Sequence, residues 1–81
     1  MMKTTAYFDH TRQRPDRIRI RLEWIEDVIH NPLEEVVQTD ARIRRWGWID
    51  EEQKFLRVVL LEDGETVHNA FFDRDFMKRD A

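Results

Sequence analysis

The octapeptide RIRRWGWI, residues 42–49, places Arg42, Arg44, Trp46 and Trp48 at alternate positions. In a β-strand those four side chains share one face, and Ile43, Arg45, Gly47 and Ile49 share the other. Guanidinium groups hold phosphate oxygens through forked hydrogen bonds, and indole rings stack on unpaired bases. Imidazole titrates near neutral pH and can give or take a proton there. Cleavage of RNA through its 2′-hydroxyl needs a base, an acid for the leaving oxygen, and cations that hold the pentavalent phosphate. In this chain His68 is the candidate base or acid, and Arg57, Arg44 and Arg74 are the candidate phosphate holders. Trp46 and Trp48, with Arg42 beside them, are the candidate RNA-binding surface.

Each of these residues also has a plainer role open to it. His68 could be a strand residue hydrogen-bonded to a neighbour, and the two indoles could pack against Phe55, Phe72 or the N-terminal segment. Arg42, Arg44 and Arg57 could pair across strands with Glu34, Glu35 or other acids, and Asp73 with Arg74. His30, at the end of a helix, is accounted for by the helix dipole. Three scattered histidines without close pairing predict no metal site. No Gly-rich phosphate loop, nucleophile elbow or His-Glu metal motif is present, and no cofactor is expected.

The elements that must position these residues follow from periodicity. RLEWIEDVIHNP carries Leu22, Ile25 and Ile29 at helical spacing, widened by Trp24 and Val28, which predicts a helix over 21–30 stopped by Asn31-Pro32. The alternating RIRIRL before it predicts an extended approach through Ile20. Four runs rich in β-branched and aromatic residues then predict strands over 34–39, 42–49, 55–62 and 65–72. Asp63-Gly64 between the last two is a tight-hairpin signal. Tyr7-Phe8 suggests a short first strand and DRDFMKR a closing helical turn. The expected fold is α+β, a twisted four-stranded antiparallel meander with the helical N-terminal segment packed on one face.

One helix covers one sheet face, so phase decides what the other displays. Leu56, Val58 and Leu60 form an apolar row suited to the covered face, together with Ile43, Gly47 and Ile49. Arg42, Arg44, Trp46 and Trp48 then look out beside Arg57. In the last strand, strict alternation assigns Val67 and Phe71 to the core and His68 and Phe72 to the open face.

At 81 residues the chain is expected to form a single domain, 1–81, with one core beneath a shell that is 38% charged. It holds no cysteine, and no run approaches a membrane span. MMKTTAYF does not read as a signal peptide, so a cytoplasmic location is expected. A net charge of −3 argues against indiscriminate nucleic-acid binding, yet residues 12–21 hold five arginines against one aspartate. The acids collect instead in DEEQ and EDGE, which read as solvated loops.

The order DHTRQRPDRIRI, a helix ending at NP, VVQTD, RIRRWGWI and LRVVLLEDGETVHNAFFDR resembles small bacterial proteins related to BrnT and, more distantly, RelE-type toxins. The likeness runs from about residue 7 to 79. It implies metal-independent RNA cleavage on the open sheet face, with Arg44, Arg57, His68 and Arg74 at comparable places, and an antitoxin protein as partner. A histidine followed by two spaced arginines ahead of the helix is matched by His10, Arg14 and Arg17, although Pro15 interrupts any helix through them. A non-enzymatic module that binds protein through the same arginine- and tryptophan-rich face is the competing expectation, and a relative that kept the fold and lost activity is a third.

Overall fold

The computed structural model describes residues 2–76. Its elements in chain order are α1 (Ala6–Thr11), α2 (Leu22–His30), β1 (Glu34–Val37), β2 (Ile43–Ile49), β3 (Lys54–Leu60) and β4 (Val67–Phe72). The strands form one antiparallel meander in the order β1-β2-β3-β4, with α2 against β2 and β3 and α1 beside β4. The α+β meander expected from the sequence is the fold observed. Among the described residues no helix is long and apolar enough to cross a membrane.

The helix α2 buries Trp24, Ile25 and Val28, while Ile29 is half-buried and Leu22 stays 41% exposed, so the buried stripe is centred on the residues expected only to widen it. Beneath it Leu56, Val58 and Leu60 are fully buried. Arg45, on the covered face of β2, reaches the end of the helix, where its Nη1 donates to the Ile29 carbonyl at 2.9 Å. The same guanidinium binds Glu35 on β1 at 2.6 Å. This arginine thus satisfies a carbonyl that the helix leaves unpaired in its last turn.

Gly47 sets how closely α2 lies on the sheet. A Cβ built at that position would stand 2.7 Å from Val28 Cγ2. Val28 is stiff at χ1 and sealed in the core, so it cannot swing aside. Gly47→Ala is therefore expected to cost about 1–3 kcal/mol through overpacking. Denaturant unfolding checks this, and unchanged stability would mean that the helix shifts freely on the sheet.

Two local expectations are overturned. Tyr7-Phe8 is not a strand: Thr5 caps α1 by accepting the Phe8 amide at 3.1 Å. Strand pairing stops one step earlier, at a parallel bridge between Thr4 and Val67 held by Val67 N–H to Lys3 O at 2.8 Å and Thr5 N–H to Val67 O at 3.0 Å. The stretch before α2 is not extended either. Successive turns donate from Arg14, Arg17 and Ile20 to the carbonyls three residues earlier, so Ile20 enters the core while Ile18 stays 64% exposed.

The last strand corrects a phase. Val59 pairs with Asn69, but Leu60 pairs with Val67, which leaves His68 as the extra residue of a β-bulge. Val67 therefore joins Ala70 and Phe72 on the covered face, with the Phe72 ring 6.4 Å from that of Trp24. Phe71 lies on the open face opposite Arg57, the reverse of what strict alternation predicts. His68 is on the open side as expected. The Asp63-Gly64 hairpin forms as predicted, with Gly64 at φ +71°. Hydrogen bonds from the Thr66 hydroxyl, the Thr66 amide and the Glu65 amide hold the Asp63 carboxyl down at about 2. The expected closing turn in DRDFMKR extends past Phe76, outside the described residues.

Candidate functional site

The register of the meander aligns the open face in rows across the strands. One row runs Glu34, Trp46, Arg57, Phe71; the next runs Val36, Arg44, Val59, Asn69. Within the first row Arg57 lies over two rings, 5.6 Å from the Trp46 centroid and 5.1 Å from that of Phe71. Arg17 covers Phe71 from the N-terminal side at 5.3 Å and donates to Asn69 Oδ1 at 2.6 Å. Cation and aromatic faces thus alternate across the sheet, an arrangement the ring quadrupole favours.

Asp73, just past β4, closes one end of this ladder. It accepts the Trp46 indole N–H at 3.0 Å and Arg57 Nη1 at 3.4 Å. Burial raises its carboxyl pKa, but the bonds from Trp46, the Asp75 amide and Arg57 outweigh burial and hold it below the ordinary range. Arg57 is pulled down by burial and by repulsion from Arg44, against the attraction of Asp73. Two guanidinium groups are therefore close enough to repel. Among the described residues Arg44 makes no ion pair.

At the other end the face opens into a hollow of about 480 Å³. Arg42, Arg44, Arg57 and His68 line it with Tyr7, Gln38 and Asn69, and no carboxylate is among its lining residues. Asp40 lies 3.9 Å from Arg42 Nε in an exposed contact. His68 stacks on Tyr7 with ring centroids 4.8 Å apart, and its Nδ1 lies 3.1 Å from Thr5 Oγ1. That hydroxyl oxygen accepts the Phe8 amide with one lone pair and can accept Nδ1–H with the other. In that tautomer Nε2 keeps its lone pair. Burial, reinforced by the positive charge of Arg42, pushes the His68 pKa below its usual 6.5. The imidazole is consequently neutral at neutral pH.

The structure brings together part of the predicted set. Arg42, Arg44, Arg57 and His68 share the hollow. Trp46 lies on the predicted face but is only 6% exposed. Phe76 stacks on it at 4.8 Å, so it serves as floor and offers no free face to a base. Trp48, 41% exposed, and Arg74 line a separate groove at the far end of the sheet with Arg17. His10 and Arg14 are exposed and line none of these concavities; neither joins His68. Tyr7 and Asn69 escaped the sequence reading. Thr5 ahead of Tyr7-Phe8, a capping residue type before an apolar pair, was the available signal for Tyr7.

Among the described residues no group of three or more His, Asp or Glu is arranged to hold a metal ion. Comparison with protein families, with characterised proteins and with solved structures finds no match.

Proposed function

We propose that this chain is a toxin-type ribonuclease that cuts single-stranded RNA by attack of the 2′-hydroxyl on the adjacent phosphate. The observation that carries this reading is the hollow at His68, lined by three arginines and a neutral imidazole with no carboxylate among its lining residues. A phosphodiester there meets three guanidinium groups, of which Arg57 is shared with Asp73 and Arg42 with the exposed Asp40. His68 Nε2 takes the 2′-hydroxyl proton as the 2′-oxygen bonds to phosphorus. Arg44 and Arg57 hold the equatorial oxygens, where charge builds in the transition state. The bond to the 5′-oxygen then breaks. Arginine does not release protons, so the proton for the leaving oxygen comes from the Tyr7 phenol, which stacks on His68, or from water. An antitoxin protein that silenced this chemistry would have to cover the hollow.

The test is incubation of the purified protein with single-stranded RNA in excess chelator, with analysis of the product ends. Terminal 2′,3′-cyclic phosphates and resistance of a 2′-deoxy substrate are expected. Intact RNA would sink the proposal and leave a protein-binding face as the better reading.

Acid pH supplies a second check. Because burial and Arg42 lower the His68 pKa, the base form persists below pH 6.5, and cleavage falls off only as pH drops through the folded-state value. Arg42→Gln removes one of the two causes, so the acid limb of the rate profile should move up toward pH 6.5. The same shift links to stability with a definite sign. Below 6.5 the unfolded chain binds a proton that native His68 resists, so native stability declines as pH falls through that window. An acid limb unmoved by Arg42→Gln would show that another group titrates.

A further inference from the structure

The groove at the far end of the sheet has a volume of about 650 Å³ and is lined by Trp48, Phe55, Phe71, Arg17, Lys54 and Arg74 among others. Its aromatic wall is built: the Trp48 ring meets Phe55 edge-on at 5.0 Å, and Phe55 meets Phe76 edge-on at 4.9 Å. Two carboxylates, Asp16 and Asp73, also line it. Asp73 is committed to Trp46 and Arg57, and Asp16 lies 3.8 Å from Arg17. Arg19 in the same wall is paired with Glu52 at 3.1 Å. Lys54 and Arg74, by contrast, make no ion pair among the described residues. Lys54 Nζ stands 5.4 Å from the centre of the Phe72 ring. An exposed indole and two cations that make no ion pair among the described residues thus line one concavity, a stacking surface together with phosphate contacts.

We infer that this groove is a nucleotide subsite that holds a base and its phosphate from single-stranded RNA whose scissile bond lies in the His68 hollow. The inference rests on the ribonuclease reading for the second half of that statement alone. Continuity supports it, because Phe71 lines both concavities and Arg17 covers its ring. From His68 to Phe72 is about 13 Å at the usual strand rise, a span that a short single strand crosses. Trp48 stacks the base, while Lys54 and Arg74 contact the flanking phosphates. Arg74 lies twenty residues beyond Lys54 in the sequence, and the meander brings both to the groove of Trp48.

The experiment is titration of the full chain with a fluorescently labelled, 2′-O-methylated uridine octamer, which cannot be cut through its 2′-oxygen. Trp48→Ala should weaken binding about tenfold, the scale of one lost base stack, and Trp48→Phe should restore most of it. Lys54→Gln, at an exposed position, should flatten the dependence of log affinity on log salt by about 0.7, the value of one phosphate contact on a single strand. Wild-type affinity and salt slope in both variants would overturn the inference, as would failure of the octamer to bind the wild type. The two readings fail separately. Octamer binding lost in the groove variants, with a wild type that cuts no RNA, leaves the nucleotide site standing and removes the ribonuclease. Cleavage by the wild type with groove variants that bind normally does the reverse.

Discussion

If the chain cleaves RNA as proposed, His68→Ala is expected to lower the rate by about 10²–10⁴-fold, the loss for removal of a general base, while the chain stays folded. The structural argument for a preserved fold is that His68 is the inserted residue of a bulge, off the covered face of the sheet. Its side chain gives the fold one ring contact with Tyr7 and one hydrogen bond to Thr5, together worth about 1–2 kcal/mol. Thr5 keeps its cap on α1 in the variant, since that bond uses the Phe8 amide. Cleavage rates and a thermal melt measured on the same preparation separate chemistry from folding. A folded His68→Ala protein that cuts RNA at the wild-type rate would remove the imidazole from the mechanism.

Arg57→Lys is expected to cost about 10²–10³-fold in cleavage, the loss typical of one donor to a transition-state oxyanion. The substitution keeps a positive charge near Asp73 but loses what the planar fork supplies. Lysine cannot present two parallel N–H donors to a phosphate. It also cannot lie flat between Trp46 and Phe71 as the guanidinium does at 5.6 and 5.1 Å, so a destabilisation of about 1 kcal/mol accompanies it. Arg57→Ala is the weaker test, because it also strips a partner from the largely buried Asp73 carboxylate. Full activity in Arg57→Lys would assign Arg57 to holding the sheet face together and leave phosphate binding to Arg42 and Arg44.

How far the site could be read in advance depended on which interactions are local. The four strands, α2 and the Asp63-Gly64 hairpin are written in short-range patterns, and the alternation in RIRRWGWI correctly put Arg42, Arg44 and Trp46 on the face of Arg57 and opposite to Gly47. Period-two counting fails at His68 because an inserted residue leaves no mark in composition, so Phe71 and Phe72 exchanged faces. Tyr7 was missed because α1 is 6 residues long, under two turns, too short for a 3.6 period to show. The covering of Trp46 by Phe76 and the gathering of Arg17, Lys54 and Arg74 around Trp48 are tertiary events between distant segments. Spacing carries no information about them.

The bridge between Thr4 and Val67 bears on the order in which the molecule assembles. Among the described residues every other strand pairing joins strands adjacent in the chain, so the meander can zip hairpin by hairpin at small loop-closure cost. Docking of residues 3–11 instead closes a loop of some sixty residues, as the Thr5 to His68 separation of 63 shows, and it is the natural last step. Reversal of that step is local opening rather than global unfolding. It would free the sheet edge at Val67 and take from His68 both the Thr5 hydroxyl and the Tyr7 ring. Amide exchange at Thr5 and Val67 should therefore outpace exchange in the centre of β3, and an N-terminal segment that swings away would disarm the hollow while the meander stays intact.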